Sequence, residues 1–172
     1  MIDLSHLKGR RYGVFGLGRT GLAAIEALVA GGVRVAAWDD KAELRAKAEA
    51  AGAELRDFTA APIGDLEGIV WSPGAPFLAP KPLPAAAAAR RAGVPLMSDV
   101  QLLLDAAGGA RVVGITGSNG KSTTTALIGH LLEAAGVPCA VGGNLGPPTL
   151  GLAPLGPDGV YVIELSSYQL QL

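Results

Sequence analysis

The sequence predicts an α/β fold built on parallel sheets, and three observations predict it. Short β-branched and aromatic runs alternate with Ala-, Leu-, Glu- and Arg-rich stretches of helical length, the pattern of strands joined by crossover helices. Two of these runs lead into glycine-rich turns that open helices, Gly16-Leu17-Gly18-Arg19-Thr20-Gly21 and Gly114-Ile115-Thr116-Gly117-Ser118-Asn119-Gly120-Lys121-Ser122-Thr123. A small, flexible stretch, Ala106-Ala107-Gly108-Gly109-Ala110, separates them and places a domain boundary between residues 1–107 and 108–172.

In the first unit, runs at 12–15, 33–38, 69–71 and 94–97 read as strands. The first helix, 20–30, stops at Gly31-Gly32, the second, 42–51, at Gly52, and the third, 83–92, at Gly93 with Arg90 and Arg91 in its last turn, where cations suit the dipole. Ser98-Asp99-Val100-Gln101 has the form of a capping box opening a helix over 102–107. The proline-rich stretch 73–84 is a stiff surface loop that cannot join a sheet interior. In the second unit a strand at 112–116, a helix at 121–135 closed by Gly136, a strand at 137–141 and a buried strand at 160–165 follow. A unit of this size with three strands buries proportionally little surface, so an incomplete domain is expected.

The 172 residues are 49% hydrophobic and 17% charged with a formal net charge of −1, an ordinary globular composition. There is no basic run and few aromatics, which argues against nucleic acid. The start resembles no secretory signal and no apolar stretch is long enough to span a membrane, so a cytoplasmic location and no membrane partner are expected. Cys139 is the single cysteine, read as a small buried apolar side chain, and it excludes an internal disulfide. His6 and His130 have no ligand or triad partners at motif spacing and read as packing or surface residues.

The first turn fits the dinucleotide fingerprint: it follows a strand, opens a helix, and Asp39 lies 23 residues after Gly16 at the end of the next strand. Gly16 makes the turn, Gly18 lets backbone approach a phosphate, Gly21 lets helix pack on strand, and the helix N-terminus attracts an anion. Asp39 is placed to accept hydrogen bonds from a sugar hydroxyl or a base N–H. The pattern specifies a nucleotide without saying which; a tight βα turn that binds nothing has the same spelling. Ser72-Pro73-Gly74 ends the run at 69–71 on the same face and is otherwise a plain turn. Trp38 and Trp71, which immediately precede Asp39 and Ser72, are expected to pack in the core near any ligand.

The second turn holds what a triphosphate needs: Gly117 and Gly120 for a backbone cradle, Lys121 for phosphate charge, and the Ser122 hydroxyl for Mg²⁺. Its spacing departs from the Walker form, with two residues between Gly117 and Gly120 rather than four. Glu164, ending a buried strand, could supply the metal carboxylate or simply a salt bridge. Asn144 reads by default as a turn residue tolerant of left-handed φ.

Taken in order, the two turns, Asp39, Ser72-Pro73-Gly74, Gly143-Asn144-Leu145-Gly146 and Glu164-Leu165-Ser166-Ser167-Tyr168-Gln169-Leu170 resemble the Mur ligase family, and within it the D-glutamate-adding ligases, along the whole chain. The shortened glycine turn at Gly117 is similar to that family's form. The resemblance implies a Rossmann-like domain that binds a UDP-sugar, residues 1–107, followed by the beginning of a P-loop α/β domain that binds ATP, residues 108–172. It implies that Gly18, Arg19, Thr20, Asp39, Asp40, Ser72, Pro73, Gly74 and Asn144 meet the UDP-substrate, and that Gly117, Ser118, Asn119, Gly120, Lys121, Ser122 and Thr123 meet ATP. Ser122 and Glu164 would hold Mg²⁺, with Lys121, Asn144 and Glu164 at the reaction centre. The implied cofactors are ATP and Mg²⁺. The implied reaction joins D-glutamate to UDP-N-acetylmuramoyl-L-alanine through an acyl phosphate in peptidoglycan synthesis, with no obligate protein partner. The family continues beyond the equivalent of Leu172, so this chain alone is expected to bind UDP-sugar without ligase activity. Two other readings fit the first turn: an NAD(P)-binding module of an oxidoreductase or sensor, and a UDP-sugar-binding protein without chemistry.

Overall fold

The computed structural model describes residues 1–78, 80–144 and 146–172. It is an α/β protein with two parallel sheets. The first comprises β1 (Arg11–Phe15), β2 (Arg34–Trp38), β3 (Glu54–Leu55), β4 (Ile69–Trp71) and β5 (Leu96–Met97) in the order β3-β2-β1-β4-β5. Every pairing is parallel, with Phe15 level with Trp38 on one side and Trp71 on the other. Helices α1 (Arg19–Ala30), α2 (Ala42–Ala50), α3 (Pro84–Ala92) and α4 (Asp99–Ala106) intervene. The second sheet is β6 (Arg111–Ile115), β8 (Val160–Glu164) and β7 (Cys139–Gly143) in that order, also parallel, with α5 (Lys121–Ala134) connecting β6 to β7.

The runs that become β1, β2, β4 and β8 are buried on both faces, as a sheet covered on both sides requires, whereas Val113 of β6 is exposed. The sequence reading passed over β3, a two-residue strand with one apolar side chain that pairs only at Ala36–Glu54 and Ala37–Leu55. The capping box does not form: Ser98 is the N-cap residue of α4 but its side chain makes no capping hydrogen bond, and Gln101 turns to Asp105 Oδ1 at 2.9 Å. The Gln101 amide donates to the Ser98 carbonyl at 3.2 Å rather than to its hydroxyl. Helix α3 starts at Pro84 rather than 83, because Pro84 at the first helical position leaves no donor unpaired.

One core runs through both sheets. Residues of α1 and α4, such as Ile25, Leu28 and Leu102, share a cluster with Ile2, Leu150, Leu152, Tyr161 and Ile163. Burying side chains of this size contributes on the order of 1.5–3 kcal/mol each. The Ile2 amide also donates to the Leu150 carbonyl at 2.9 Å, so the N-terminus laces onto the segment preceding β8. The opposite face of the second sheet packs on α5 through Val160, Val162, Ile128 and Leu132. A second cluster beneath β4 and α3 stacks Trp71 on Phe15 at 4.2 Å between ring centroids, 10° from parallel. Phe77 anchors the proline-rich loop there. Among the described residues no helix is long and apolar enough to cross a membrane.

Candidate functional site

Between β1 and β4 the winding of the first sheet reverses, which leaves a crevice at the carboxyl ends of those two strands. Gly16 follows β1 and Ser72 follows β4. The backbone at Gly16 has φ +84°, and a Cβ there would lie 2.4 Å from that of Ser72, so only glycine lets the two strand ends close. At Gly21 a Cβ would lie 2.1 Å from the Gly16 carbonyl oxygen, whereas at Gly18 it would meet nothing within 4 Å. Two glycines thus set the turn and its contact with α1, and the third faces open space. Helix α1 has Gly18 as N-cap without a side-chain cap, so its first N–H groups are left for an outside acceptor.

Asp39 is used first by the chain itself. Its Oδ2 accepts from the Leu17 amide at 2.8 Å and its Oδ1 from the Lys41 amide at 2.9 Å, tying the glycine turn to the end of β2. Each oxygen keeps a lone pair for a ligand. Arg45, which sequence reasoning did not single out, donates from Nη1 to the Asp39 and Asp40 carbonyls at 2.7 and 2.9 Å and lies over the Trp38 ring at 4.7 Å. Trp38 is therefore a platform beside the crevice as well as a packing residue, and Trp71 is fixed by its indole N–H on the Ala75 carbonyl at 2.8 Å. Gly16, Asp39, Asp40, Ser72 and Gly74 line a cavity of about 260 Å³.

The second turn leaves β6 and enters α5 through Gly117, φ +143°, and Gly120, φ +77°, which is the N-cap and again has no side-chain cap. Lys121 Nζ folds back on the Gly117 carbonyl at 2.9 Å. Ser118, Asn119, Ser122 and Thr123 are exposed. Glu164 ends the central strand β8 at 2% exposure. Asn144 does not use the left-handed backbone that its residue type tolerates: among the described residues every positive φ belongs to glycine, here Gly143 and Gly146. Its side chain instead donates from Nδ2 to Glu164 Oε1 at 3.3 Å and its amide to the Glu164 carbonyl at 2.8 Å. Leu145 lies outside the described residues. Thr116, Gly117, Lys121, Asn144, Ser166 and Tyr168 line a cavity of about 550 Å³.

The two turns are joined by a hydrogen bond and by adjoining cavities. Arg19, at the start of α1, donates from Nη1 to the Gly146 carbonyl at 3.1 Å, bridging the first turn to the loop after β7. A third cavity of about 630 Å³, lined by residues including Pro73, Gly74, Phe77, Tyr168 and Gln171, lies between the others. Gly74 lines both this cavity and the first, and Tyr168 both this one and the second. Tyr168 is 57% exposed.

A buried polar chain leads from α4 to these cavities. Asp99 Oδ1 accepts from Gln169 Nε2 at 3.2 Å, and Gln169 Oε1 accepts from the Ser166 amide and hydroxyl at 3.0 and 3.1 Å. Burial pushes the Asp99 carboxyl above its ordinary range, against the opposing pull of Thr149, Gln169 and the first amides of α4. The Thr149 hydroxyl favours the charged form from nearby but falls outside hydrogen-bond geometry, and it is the buried side-chain polar atom left without a partner among the described residues. A carboxyl whose pKa rises on folding contributes stability in full below the ordinary carboxylate range and loses it as pH climbs through the raised value. Asp99→Asn, which cannot ionise, is therefore expected to melt above the unsubstituted protein at pH 8, with the difference shrinking toward pH 4. Thermal melts across that window check it.

His6 and His130 are both exposed. Cys139 is half-buried rather than buried, its thiol pushed up by burial and pointed at the Gly129 carbonyl at 3.7 Å. Among the described residues no group of three His, Cys, Asp or Glu side chains could hold a metal alone.

No family model matches the chain. Over its whole length it is 49% identical to the UDP-N-acetylmuramoylalanine--D-glutamate ligase of Paramagnetospirillum magneticum, covering 38% of that protein. It is 50% identical to the proteins of the same name from Rhodospirillum rubrum and Sphingopyxis alaskensis, covering 37% and 40% of them. Among solved structures it is similar to an imine reductase from Streptomyces aurantiacus at 21% identity and a TM-score of 0.32, over 72% of this chain and 38% of that one, a likeness too slight to bear on function. By sequence the whole chain is thus similar to one part of the UDP-N-acetylmuramoylalanine--D-glutamate ligases, and it spans 38% of the length of the Paramagnetospirillum protein.

Proposed function

We propose that the chain is the UDP-sugar-binding and nucleotide-cradling portion of an ATP-dependent ligase that joins D-glutamate to UDP-N-acetylmuramoyl-L-alanine in peptidoglycan synthesis. The observation that carries this reading is that two glycine turns lie at adjoining cavities and are bridged by the Arg19–Gly146 hydrogen bond. A binding module for one nucleotide would use the first turn and leave the second without a task.

In this reading residues 1–107 form the UDP-sugar domain and residues 108–172 begin the ATP domain. Gly18, Arg19 and Thr20 receive the diphosphate at the α1 N-terminus, Asp39 and Asp40 the uracil end, and Ser72, Pro73 and Gly74 the wall opposite. Arg19 would exchange the neutral Gly146 carbonyl for a charged acceptor, a stronger partner. In the second cradle Gly117, Ser118, Asn119, Gly120 and Thr123 offer backbone N–H groups, and Lys121 moves from the Gly117 carbonyl to phosphate oxygens. A carboxylate is a poor acyl donor; phosphoryl transfer from ATP makes it a good one, and the D-glutamate amine then displaces phosphate from the acyl phosphate. The chain's part is to position the carboxylate near Asn144, to offset charge with Lys121, and to exclude water.

Mg²⁺ fits the donors present. Glu164 is a buried carboxylate whose hydrogen bonding, among the described residues, is one 3.3 Å contact from a neutral amide, and no cation pairs with it. A magnesium ion is commonly held by one or two protein oxygens with the rest from phosphate and water, which Ser122 and Glu164 can supply. When bound it would offset charge on the transferred phosphoryl group. Glu164→Gln is expected to weaken ATP binding in Mg²⁺ by about tenfold or more while leaving binding in EDTA unchanged, measured by calorimetry.

The deciding experiment is a titration of this chain with UDP-N-acetylmuramoyl-L-alanine, UDP and NADH, following Trp38 and Trp71 fluorescence with calorimetric controls. Selective binding of the UDP-sugar is the expected result. Selective binding of NADH would replace the reading with an NAD(P)-binding module. A cytoplasmic site of action follows from the substrates, and ADP release dependent on D-glutamate is expected of the longer relatives and not of this chain alone.

A further inference from the structure

Asp99 is a costly residue to keep where it is. It is 3% exposed, lies at the first position of α4, and has no cation within salt-bridge distance among the described residues. An apolar side chain of similar size would fill that space without the desolvation cost. Its partner Gln169 is equally buried and stands 70 residues away in sequence.

We propose that Asp99, carried by α4, is a positioning residue for the wall of the second site: by fixing which way the Gln169 amide faces, it sets the place of Ser166, Ser167 and Tyr168 above Gly117 and Lys121. Asp99 Oδ1 accepts from Gln169 Nε2, which leaves Gln169 Oε1 turned toward Ser166. With Oε1 so placed, the Ser166 N–H and O–H both find an acceptor, and the Ser166 hydroxyl in turn accepts from the Gln169 amide at 3.2 Å. Three of these bonds close the 166–169 turn and the fourth ties it to Asp99. Reversing the amide would present NH₂ to the Ser166 N–H, donor against donor. Asp99 belongs to the last helix before the second sheet, so the wall of the nucleotide cavity is registered against the first unit rather than against its own sheet alone. The placement of the wall stands on geometry; its consequence for ATP rests on the reading given above.

The test is amide hydrogen exchange and ¹⁵N–¹H correlation spectra of the intact chain, unsubstituted and as Asp99→Ala and Asp99→Asn. The unsubstituted protein is expected to protect the Ser166 amide and the Gln169 side-chain NH₂ relative to the Ser167 amide. In Asp99→Ala the Ser166 amide is expected to exchange roughly tenfold faster, the loss of one net hydrogen bond, with shifts at 166–168. Asp99→Asn, which can still offer an oxygen to Gln169, is expected to restore protection to within about twofold, a rescue that simple loss of packing would not show. An unprotected Ser166 amide in the unsubstituted protein overturns the proposal even if Asp99→Ala fails to fold. So does a folded Asp99→Ala with unchanged Ser166 exchange, or an Asp99→Asn that behaves as the alanine variant. Adding ATP and Mg²⁺ separates the two ideas: no shifts at 117–123 would count against the nucleotide reading, while the exchange rates alone decide the role of Asp99.

Discussion

Lys121→Ala is expected to leave the fold intact and to weaken ATP binding by roughly 10- to 100-fold, the equivalent of losing one or two charge-assisted hydrogen bonds. The side chain is half-buried and makes a single hydrogen bond, to the Gly117 carbonyl of its own turn, so little of the folded structure depends on it. What it supplies is a mobile ammonium at the mouth of a cradle whose other donors are fixed N–H groups. Without that charge the helix N-terminus offers only partial positive charge to a polyphosphate. In a full-length relative the same substitution is expected to lower D-glutamate-dependent ADP release by about 10²- to 10³-fold, since Lys121 would act where charge builds during phosphoryl transfer. UDP-sugar binding at the first turn should be unaffected. Lys121→Arg is expected to recover little, because a planar fork cannot occupy the position of a compact point charge on a loop this tight. Calorimetry with ATP and with the UDP-sugar, on the same preparation, measures both arms. Equal losses at the two turns would mean that the lysine holds the two turns together rather than a phosphate.

What the sequence made legible follows from range. Four of the five strands of the first sheet stand out because each is a local apolar run with a glycine at one end, and the glycines of the first turn carry their roles in their spacing. The spacing says that Gly16 and Gly21 are needed; it does not say that Ser72 lies against Gly16, which depends on β4 pairing with β1. Strand order and the continuous core from Ile2 to Ile163 are tertiary properties of the same kind. At the site, Asp39 was recognisable by position, but its first partners, the Leu17 and Lys41 amides, are set by how β2 ends. For Asn144, loop composition alone gives only a turn residue, because its side-chain partner is Glu164, twenty residues on and in the neighbouring strand. Ser98 and Gln101 have the spelling of a capping box, yet the Gln101 amide goes to the Ser98 carbonyl and its side chain to Asp105. Asp99, Arg45 and Tyr168 had no local signature: an acid at a helix start ordinarily needs no more explanation than the dipole.

Gly21→Ala and Gly18→Ala differ by one methyl each and are expected to have opposite effects. A Cβ at Gly21 would lie 2.1 Å from the carbonyl oxygen of Gly16. The obstruction is backbone, held in turn by the Gly16 amide on the Trp38 carbonyl at 3.0 Å, so it cannot swing aside as a side chain could. Relief requires α1 to move away from β1, opening contacts of Ala24, Ile25 and Leu28 in the main core. Overpacking of this kind costs about 1–3 kcal/mol and more where nothing flexible can yield; at the upper end, for a chain of this size, that is a fall in melting temperature of roughly 6–12 °C. At Gly18 the added methyl meets nothing within 4 Å and the backbone, φ −68° and ψ −165°, is open to alanine, so the melting temperature should barely change. The same methyl would stand in the space in front of the α1 N-terminus, where a diphosphate must come close to the N–H groups. Gly18→Ala is therefore expected to fold normally and to lose UDP-sugar affinity by about tenfold or more, the cost of two unmade hydrogen bonds at the weaker end of their range. Thermal melts and the UDP-sugar titration on the two variants read the contrast directly. A Gly18→Ala protein that melts normally and binds the UDP-sugar as before would remove the first turn from the site, whatever the second one holds.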